Sequence, residues 1–149
     1  MKVALGADHA GYELKEKVKK YLQSKGVETV DLGTNSTESV DYPDFAVKVA
    51  EQVSQKKVDW GVLVCKSGIG MSIAANKVKG VRAAVVRTVE DTKLARGHND
   101  ANLLALSGAF TSEDEAKKIV DAWMETEFEG GRHERRVNKI IELEKKPKP

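Results

Sequence analysis

The sequence predicts an α/β protein with a doubly wound parallel sheet. Short apolar strand-like runs alternate with longer runs whose apolar residues recur at helical spacing, the pattern of β-α-β units joined by right-handed crossovers. The run WGVLVC at Trp60–Cys65 is apolar throughout, as expected for a central parallel strand that is covered on both faces. No proline-rich or low-complexity linker interrupts the 149 residues, so we expect a single domain over residues 1–149.

The first half of the chain supplies two strands before this central one. A strand at Val3–Leu5 precedes a helix at Tyr12–Ser24, whose apolar residues are spaced to form one buried face. Gly26 is a helix stop signal, and the run at Val27–Gly33 reads as the second strand. Pro43 opens the next helix, because proline is tolerated in a first helical turn.

The second half continues the alternation after a glycine-spaced turn. The elements predicted there are a helix through Ser72–Lys77, a strand at Arg82–Val86, a helix at Val89–Arg96, a strand at Asn102–Gly108, a helix at Glu113–Glu127 capped by Thr111 or Ser112, and a last helix at Arg132–Glu144. Five parallel strands with helices on both faces make a three-layer, Rossmann-like architecture.

The charge balance argues against a general nucleic-acid or membrane binder. The 25 basic and 23 acidic residues give a formal charge of +2, and only the last part of the chain, residues 130–149, is locally basic. A single cysteine excludes an intramolecular disulfide, and no Cys/His spacing is typical of a zinc site. The N-terminus reaches Asp8 and His9 too soon to hold a signal-peptide core, and no apolar run approaches the roughly 18 residues of a membrane span. We therefore expect a cytoplasmic protein with neither a nucleic-acid nor a membrane partner.

The stretch VCKSGIGMS places the single cysteine, Cys65, at the end of the central strand. Its position alone leaves two readings open, a small buried hydrophobe or a reactive thiol. The turn Lys66–Gly70 leads into a helix, whose first amides favour negative charge and therefore a thiolate. A thiolate beside an array of amide donors suits proton abstraction next to a carbonyl, because the donors can hold the resulting enediolate.

Three further polar clusters have, like Cys65, both a structural and a functional interpretation. Asp8-His9 follows the first strand and is either a helix cap with an incidental histidine or a pair that holds sugar hydroxyls. His98-Asn99 is either a surface turn or a proton-shuttling group. Arg132 and Arg136 lie four residues apart, so on a helix they share a face and suit a phosphate dianion, although basic runs in terminal helices are usually solvated. We expect the base, the oxyanion donors and the phosphate anchor to lie on the same side of the sheet, beyond the carboxyl ends of the strands.

Together these stretches resemble the family of ribose-5-phosphate isomerase B, which includes the galactose-6-phosphate isomerase subunits. The resemblance spans nearly the whole chain in unbroken order. It is carried by GADHAGYELK at the N-terminus, SVDYPDFA at Ser39–Ala46, CKSGIGMSIAANK at Cys65–Lys77, ARGHNDANLLAL at Ala95–Leu106, and IVDAW with EGGRHERRVNKI within Ile119–Ile140.

The resemblance implies a role for each candidate residue. Cys65 would move a proton between C1 and C2 of the open-chain sugar, and Ser67 with the amides of Lys66, Gly68, Ile69 and Gly70 would hold the enediolate. His98 would assist ring opening with Asp8 as its partner, Asn99 would contact the substrate near its reacting end, and Tyr42 would line the cleft. The phosphate would be held by His9, Arg132 and Arg136. The family works without a metal or other cofactor and forms dimers or tetramers, with active sites shared between subunits and the C-terminal helix reaching across.

Two departures from the family pattern bear on the substrate. Relatives usually have glycine in place of Lys66, and many have an arginine of the phosphate site in place of Ala109. The expected reaction is the interconversion of D-ribose 5-phosphate and D-ribulose 5-phosphate. The alternatives are the same chemistry on another aldose or sugar phosphate, such as a hexose 6-phosphate or a tetrose phosphate, and a non-catalytic phosphosugar- or nucleotide-binding module.

Overall fold

The computed structural model describes residues 1–146, in which strands and helices alternate almost throughout. The strands are β1 (Lys2–Ala7), β2 (Glu28–Asp31), β3 (Trp60–Cys65), β4 (Ala83–Val85) and β5 (Leu103–Ser107). The helices are α1 (Tyr12–Ser24), α2 (Tyr42–Ser54), α3 (Ile69–Ala75), α4 (Val89–Asn99), α5 (Glu113–Glu125) and α6 (Arg132–Leu143). The end of the basic segment KKPKP, residues 147–149, lies outside the described residues.

The five strands form one sheet in the order β2-β1-β3-β5-β4, and every neighbouring pair is parallel. All six residues of β3 are buried, which confirms the central strand expected from its apolar sequence. From β3 the chain crosses to the edge strand β4 and returns to β5, which lies between them. The chain thus leaves β1 and β3 in opposite directions, and the crevice at their carboxyl ends is the topological switch point where such sheets bind ligands.

Helices cover both faces of the sheet and confirm the three-layer prediction. One apolar core lies under α1, α4 and α5 and includes Leu22 and Trp123. The other lies under α2 and α3 and includes Val49 and Met71. Helix α6 contacts α4 at the rim of the molecule rather than the sheet itself. Among the described residues, none of the helices combines the length and apolar character that a membrane span requires.

The most consequential boundary difference concerns α4. The sequence predicts that this helix ends at Arg96, but it continues to Asn99, so His98 and Asn99 lie in its last turn rather than in a loop. The helix ends at Asp100, which adopts a left-handed conformation with φ 46°. Its carboxylate accepts hydrogen bonds from Arg96 and Arg82, at 3.2 and 3.4 Å. An aspartate therefore ends the helix where glycine is the usual signal.

The other boundaries differ by smaller amounts. Helix α3 starts at Ile69 and ends at Ala75, earlier than predicted, and α2 begins at Tyr42, with Pro43 in its first turn. Ser112 is the cap of α5, since its hydroxyl accepts a hydrogen bond from the Glu115 amide. Gly26, with φ 77°, ends the turn after α1 as expected.

A buried charge cluster fastens α1 to the end of β2. The ammonium of Lys15, fully buried, donates to both carboxylate oxygens of Asp31 at 2.7 and 2.9 Å, and Lys19 donates to the same carboxylate at 2.7 Å. Burial alone raises the pKa of Asp31, but the hydrogen bonds from Lys15, Lys19 and the Gly33 amide more than offset this and lower the pKa to about 2. The Asp31 carboxylate is therefore ionised at neutral pH.

Candidate active site

The candidate catalytic edge is the carboxyl edge of the sheet, where β1 and β3 end side by side. Ala7 pairs with Val64, and the amide of the next residue, Asp8, donates to the Val64 carbonyl at 3.2 Å. Asp8 therefore lies directly beside Cys65, the last residue of β3. Both side chains are nearly buried, with 6% of Asp8 and 5% of Cys65 exposed, so a ligand at this edge would meet them at the floor of the crevice.

The turn after β3 directs an amide at the thiol. The Gly68 N–H donates to the Cys65 Sγ at 3.2 Å, and the Ile69 N–H donates to the Ser67 Oγ at 3.1 Å. Gly68 has φ 81°, and a Cβ at this position would lie 3.1 Å from the Leu106 backbone. The turn therefore needs glycine at residue 68 both for its backbone conformation and for its close approach to β5.

The end of β5 supports this turn from the other side. The Ser107 hydroxyl donates to the Lys66 carbonyl at 2.6 Å, the Gly108 amide to the Cys65 carbonyl at 2.8 Å, and the Ala109 amide to the Lys66 carbonyl at 3.1 Å. The Lys66 side chain is exposed, and its φ is not positive. The turn therefore accepts a lysine at residue 66 without left-handed strain.

Asp8, His9 and Tyr42 frame the rest of the crevice. The Asp8 Oδ1 accepts hydrogen bonds from the Ala10 and Gly11 amides, both at 3.0 Å, which fix the orientation of the carboxylate. The His9 Nδ1 accepts from the Val40 amide at 3.2 Å, so in the neutral ring the proton is on Nε2. Tyr42 packs on the turn after β3, because a Cβ on Gly70 would lie 2.7 Å from its ring.

The structure does not bring the remaining candidates to this edge, which corrects the expectation that all of them share one side of the sheet. Helix α4 runs back from the carboxyl end of β4. Its last residues, His98 and Asn99, therefore lie at the amino edge of the sheet, where the parallel strands begin. Asn99 lines a cavity of about 620 Å³ together with Arg82 and Ala83 at the start of β4. Five strand residues, Leu103–Ser107, at ~3.3 Å per residue separate the two edges by roughly 15 Å.

Arg132 and Arg136 belong to the amino edge as well. Helix α6 contacts α4, and its far end is held by the Glu144 carboxylate, which accepts a hydrogen bond from the Gly80 amide at 3.0 Å. Both arginines are exposed, four residues apart on this helix, as the sequence predicts. They share the rim with His98, because His133, the residue after Arg132, stacks on the His98 ring.

Sequence reasoning missed two neighbours of His98. The Glu129 Oε2 lies 3.4 Å from the His98 Nε2, and the rings of His98 and His133 lie 4.0 Å apart between centroids. Burial lowers the pKa of His133, and positive charge on His98 and Arg132 lowers it further. Glu129 and His133 are four residues apart, but Glu129 precedes α6, so helical spacing does not place either of them beside His98.

A protein-family model described as Ribose/Galactose Isomerase matches residues 3–140 of the chain. The chain belongs to the ribose/galactose isomerase family. The relative from Escherichia coli K12 named ribose-5-phosphate isomerase B is 45% identical over 145 residues, which cover 97% of each chain. This similarity confirms the resemblance of the chain to the ribose-5-phosphate isomerase B family.

Solved structures of the ribose/galactose isomerase family match over the same span. A ribose-5-phosphate isomerase B from Clostridium thermocellum has a TM-score of 0.96 and 50% identity, covering 97% of this chain and 98% of that one. A Mycoplasma genitalium ribose-5-phosphate isomerase B with bound ribulose 5-phosphate has a TM-score of 0.94 and 44% identity, covering 98% and 97%. Both similarities confirm the predicted fold.

Proposed function

We propose that this chain interconverts D-ribose 5-phosphate and D-ribulose 5-phosphate through an enediolate, without a metal, and that Cys65 is the base. The observation that carries the proposal is the hydrogen bond from the Gly68 amide to the Cys65 sulfur. It lies at the topological switch point of the sheet, in a chain of the ribose/galactose isomerase family. A thiolate held by an amide donor can take the proton from C2 of the open-chain aldose and return it to C1.

The turn after β3 supplies the oxyanion site in this proposal. The developing charge on the enediolate needs donors that are already in place, since these cost no reorganisation during the reaction. Ser67 and the backbone of Lys66–Gly70 follow the thiol, and three hydrogen bonds from the end of β5 to the Cys65 and Lys66 carbonyls fix the start of this turn. Asp8 lies beside the end of β3, and the Tyr42 ring packs against Gly70 at the end of the same turn.

We propose further that a second copy of the chain completes each active site. His98 is the group proposed to open the sugar ring, yet it lies at the amino edge, roughly 15 Å from Cys65 along the sheet. A ring-opening group must reach the sugar while its C1 and C2 face the base, so His98 and Asn99 of one copy serve the Cys65 of the other. This supports a homodimer or homotetramer with shared sites, in which the C-terminal helix extends to its partner.

The proposed phosphate site is also formed by residues of two copies of the chain. His9 is at the catalytic edge, and its Nε2 proton can be donated to a phosphate oxygen. Arg132 and Arg136 come from α6 of the second copy and add two guanidinium groups to the same anion. Binding energy at this remote group would orient the sugar over Cys65.

A second candidate is the same chemistry on a different sugar. Ala109 is exposed, and the family resemblance implies a phosphate-site arginine at this position, so this chain would lack one of the expected cations. Arg87 offers a replacement, because its guanidinium lies over the ring of Phe110, the residue after Ala109, 5.2 Å from the ring centroid. Lys66 is exposed at the same edge and offers another.

The deciding experiment is a substrate screen with purified full-length protein, with and without a chelator. The panel contains ribose 5-phosphate, allose 6-phosphate, galactose 6-phosphate, erythrose 4-phosphate and the unphosphorylated aldoses. We expect the highest kcat/KM for ribose 5-phosphate, unchanged by the chelator. A low rank for ribose 5-phosphate would favour the second candidate, and binding without turnover of any sugar would favour a non-catalytic module.

We also propose a cytoplasmic location. The single cysteine is buried and, in the proposed mechanism, must remain a free thiol. A reducing compartment keeps such a thiol from oxidation. Fractionation of cells that express the tagged protein would test this, and recovery from an oxidising compartment would contradict it.

A further inference from the structure

Three side chains from separate parts of the chain converge at the rim of the amino edge. His98 comes from the last turn of α4, His133 from the first turn of α6, and Glu129 from the segment that precedes α6. The Glu129 Oε2 lies 3.4 Å from the His98 Nε2, and its Oε1 lies 3.9 Å from the His133 Nε2. The two histidines therefore present the same ring atom to one carboxylate.

The backbone holds this cluster in place. The Glu129 amide donates to the Gly97 carbonyl at 3.0 Å, which fixes the segment against the last turn of α4. A Cβ on Gly97 would lie only 2.6 Å from the Glu129 Oε2, so the missing side chain leaves the space that the carboxylate occupies. His133 is 7% exposed, and the stacked rings of His98 and His133 have an interplanar angle of 12°. A backbone hydrogen bond therefore holds the Glu129 segment, and ring stacking holds the two histidines.

The donor set is that of a transition-metal site. One ligand atom from each of the three residues lies within 4.8 Å of the other two. Two imidazole nitrogens and one carboxylate oxygen, with a water in the fourth position, are a common ligand set for Zn²⁺. At bond lengths of ~2.0–2.1 Å, tetrahedral ligand atoms lie about 3.3 Å apart, so the ligand atoms need to close by up to roughly 1.5 Å and the rings to splay from their parallel stack.

We propose that His98, Glu129 and His133 bind a divalent transition-metal ion, with Zn²⁺ as the probe. The site is separate from the Cys65 crevice of the same chain and is formed without residues of the catalytic edge. Its inhibitory consequence rests on the proposed function. A metal on the His98 Nε2 would engage the imidazole that is proposed to exchange protons with the ring oxygen of the sugar, so the bound ion would act as an inhibitor rather than a cofactor.

The test of the site itself is a Zn²⁺ titration of the full-length protein in competition with a chromophoric chelator. We expect one bound ion per chain, and at least about tenfold weaker binding for Glu129→Gln and for His133→Ala. Glu129→Gln keeps the size of an exposed side chain, so it remains informative if His133→Ala does not fold. Cys65→Ser is the matched control, since the thiol is the other strong zinc ligand near the proposed active site. Unchanged affinity in both ligand variants, or loss of the ion in Cys65→Ser, would overturn the proposal.

A second measurement separates the metal site from the catalytic role of His98. The same Zn²⁺ concentrations are added to turnover assays of wild type and Glu129→Gln, each compared with its own metal-free rate. Inhibition of the wild type at the concentration that fills the site, with the variant at least about tenfold less sensitive, supports both proposals. Stoichiometric binding without inhibition supports the metal site and contradicts the ring-opening role of His98.

Discussion

The backbone amide of Gly68 donates a hydrogen bond to the sulfur of Cys65 across 3.2 Å. This bond ties the position of the thiol to the left-handed conformation of Gly68, φ 81°, and to its close packing against Leu106. The geometry of the turn and the chemistry of the thiol are thus coupled through one glycine, which yields the first prediction.

Gly68→Ala should lower both stability and kcat. The left-handed backbone costs a residue with a Cβ about 1–2 kcal/mol, and movement away from Leu106 shifts the amide from the sulfur. Gly26→Ala is the matched control, because Gly26 has φ 77° with no atom within 4 Å of the added Cβ. Thermal melts should show a loss in both variants, whereas turnover should fall in Gly68→Ala alone. Equal turnover in the two variants would contradict the role of the amide.

Cys65→Ala should remove most of the turnover and leave ligand binding nearly intact. A missing general base lowers the rate by about 10²- to 10⁴-fold, whereas the phosphate contacts remain. The checks are kcat from a ketose assay and the dissociation constant of ribulose 5-phosphate from calorimetry. A variant with wild-type turnover would remove Cys65 from the mechanism.

Mixing two inactive variants should restore activity. In a hybrid dimer of Cys65→Ala and His98→Ala chains, one of the two shared sites has both wild-type residues. Random reassociation of equal amounts should recover about a quarter of the wild-type activity, since half of the dimers are hybrids with one intact site each. The mixture is unfolded, refolded together and assayed against the separately refolded variants. No recovery, although hybrids form, would place a complete site within one chain.

Arg132→Ala and Arg136→Ala should raise KM for phosphorylated sugars. Each removes a charged hydrogen bond worth about 1.5–3 kcal/mol, which corresponds to roughly ten- to a hundredfold in KM. Arg135→Ala removes the same charge from the same turn and is the control for net charge. Activity on a free sugar, where measurable, should be spared. An equal loss on free and phosphorylated sugars would argue against a phosphate anchor.

Acid should destabilise the protein through Asp31. Its pKa is about 2 in the folded state, compared with about 3.9 in an unfolded chain, so its contribution is complete above pH ~4 and is lost as the pH falls toward 2. The contribution is about 2 kcal/mol, and Asp31→Asn should lower the free energy of unfolding at pH 7 by at least that amount, because it also leaves the buried Lys15 with Glu16 as its remaining carboxylate partner.

Urea unfolding at pH 7, 4 and 3 measures this effect. The exposed Asp114→Asn, in the first turn of α5, is the control and should follow the wild type closely. Between pH 4 and 3 the wild type should lose more stability than Asp31→Asn. Parallel curves for these two would show that Asp31 does not carry the acid sensitivity.

The fold was predictable because its signals are local. The continuous apolar run of β3 and the helical spacing of the apolar residues in α1 and α5 each define an element without help from the rest of the chain. Strand order was not predicted, since placing β5 between β3 and β4 depends on packing over long sequence separations. The end of α4 was missed because Asp100, rather than a glycine, adopts the left-handed conformation that ends the helix.

The positions of two candidate residues were predictable because they follow strand ends. Asp8 and Cys65 came directly from the rule that ligands bind beyond the carboxyl ends of parallel strands. The placement of His98 at the opposite edge was not predicted, because its helix was expected to stop before it. Glu129 carried no signal at all, since its approach to His98 depends on the absence of a side chain at Gly97.

The separation of His98 from Cys65 has a consequence for how the protein would behave in dilute solution. With the base at one edge and the ring-opening group at the other, the proposed arrangement leaves a lone chain with two half-sites and no whole one. Specific activity would then fall with dilution below the dissociation constant of the assembly and recover on concentration, whereas an enzyme with a self-contained site keeps a constant activity per chain. The cellular concentration of the chain would then determine the turnover rate per chain.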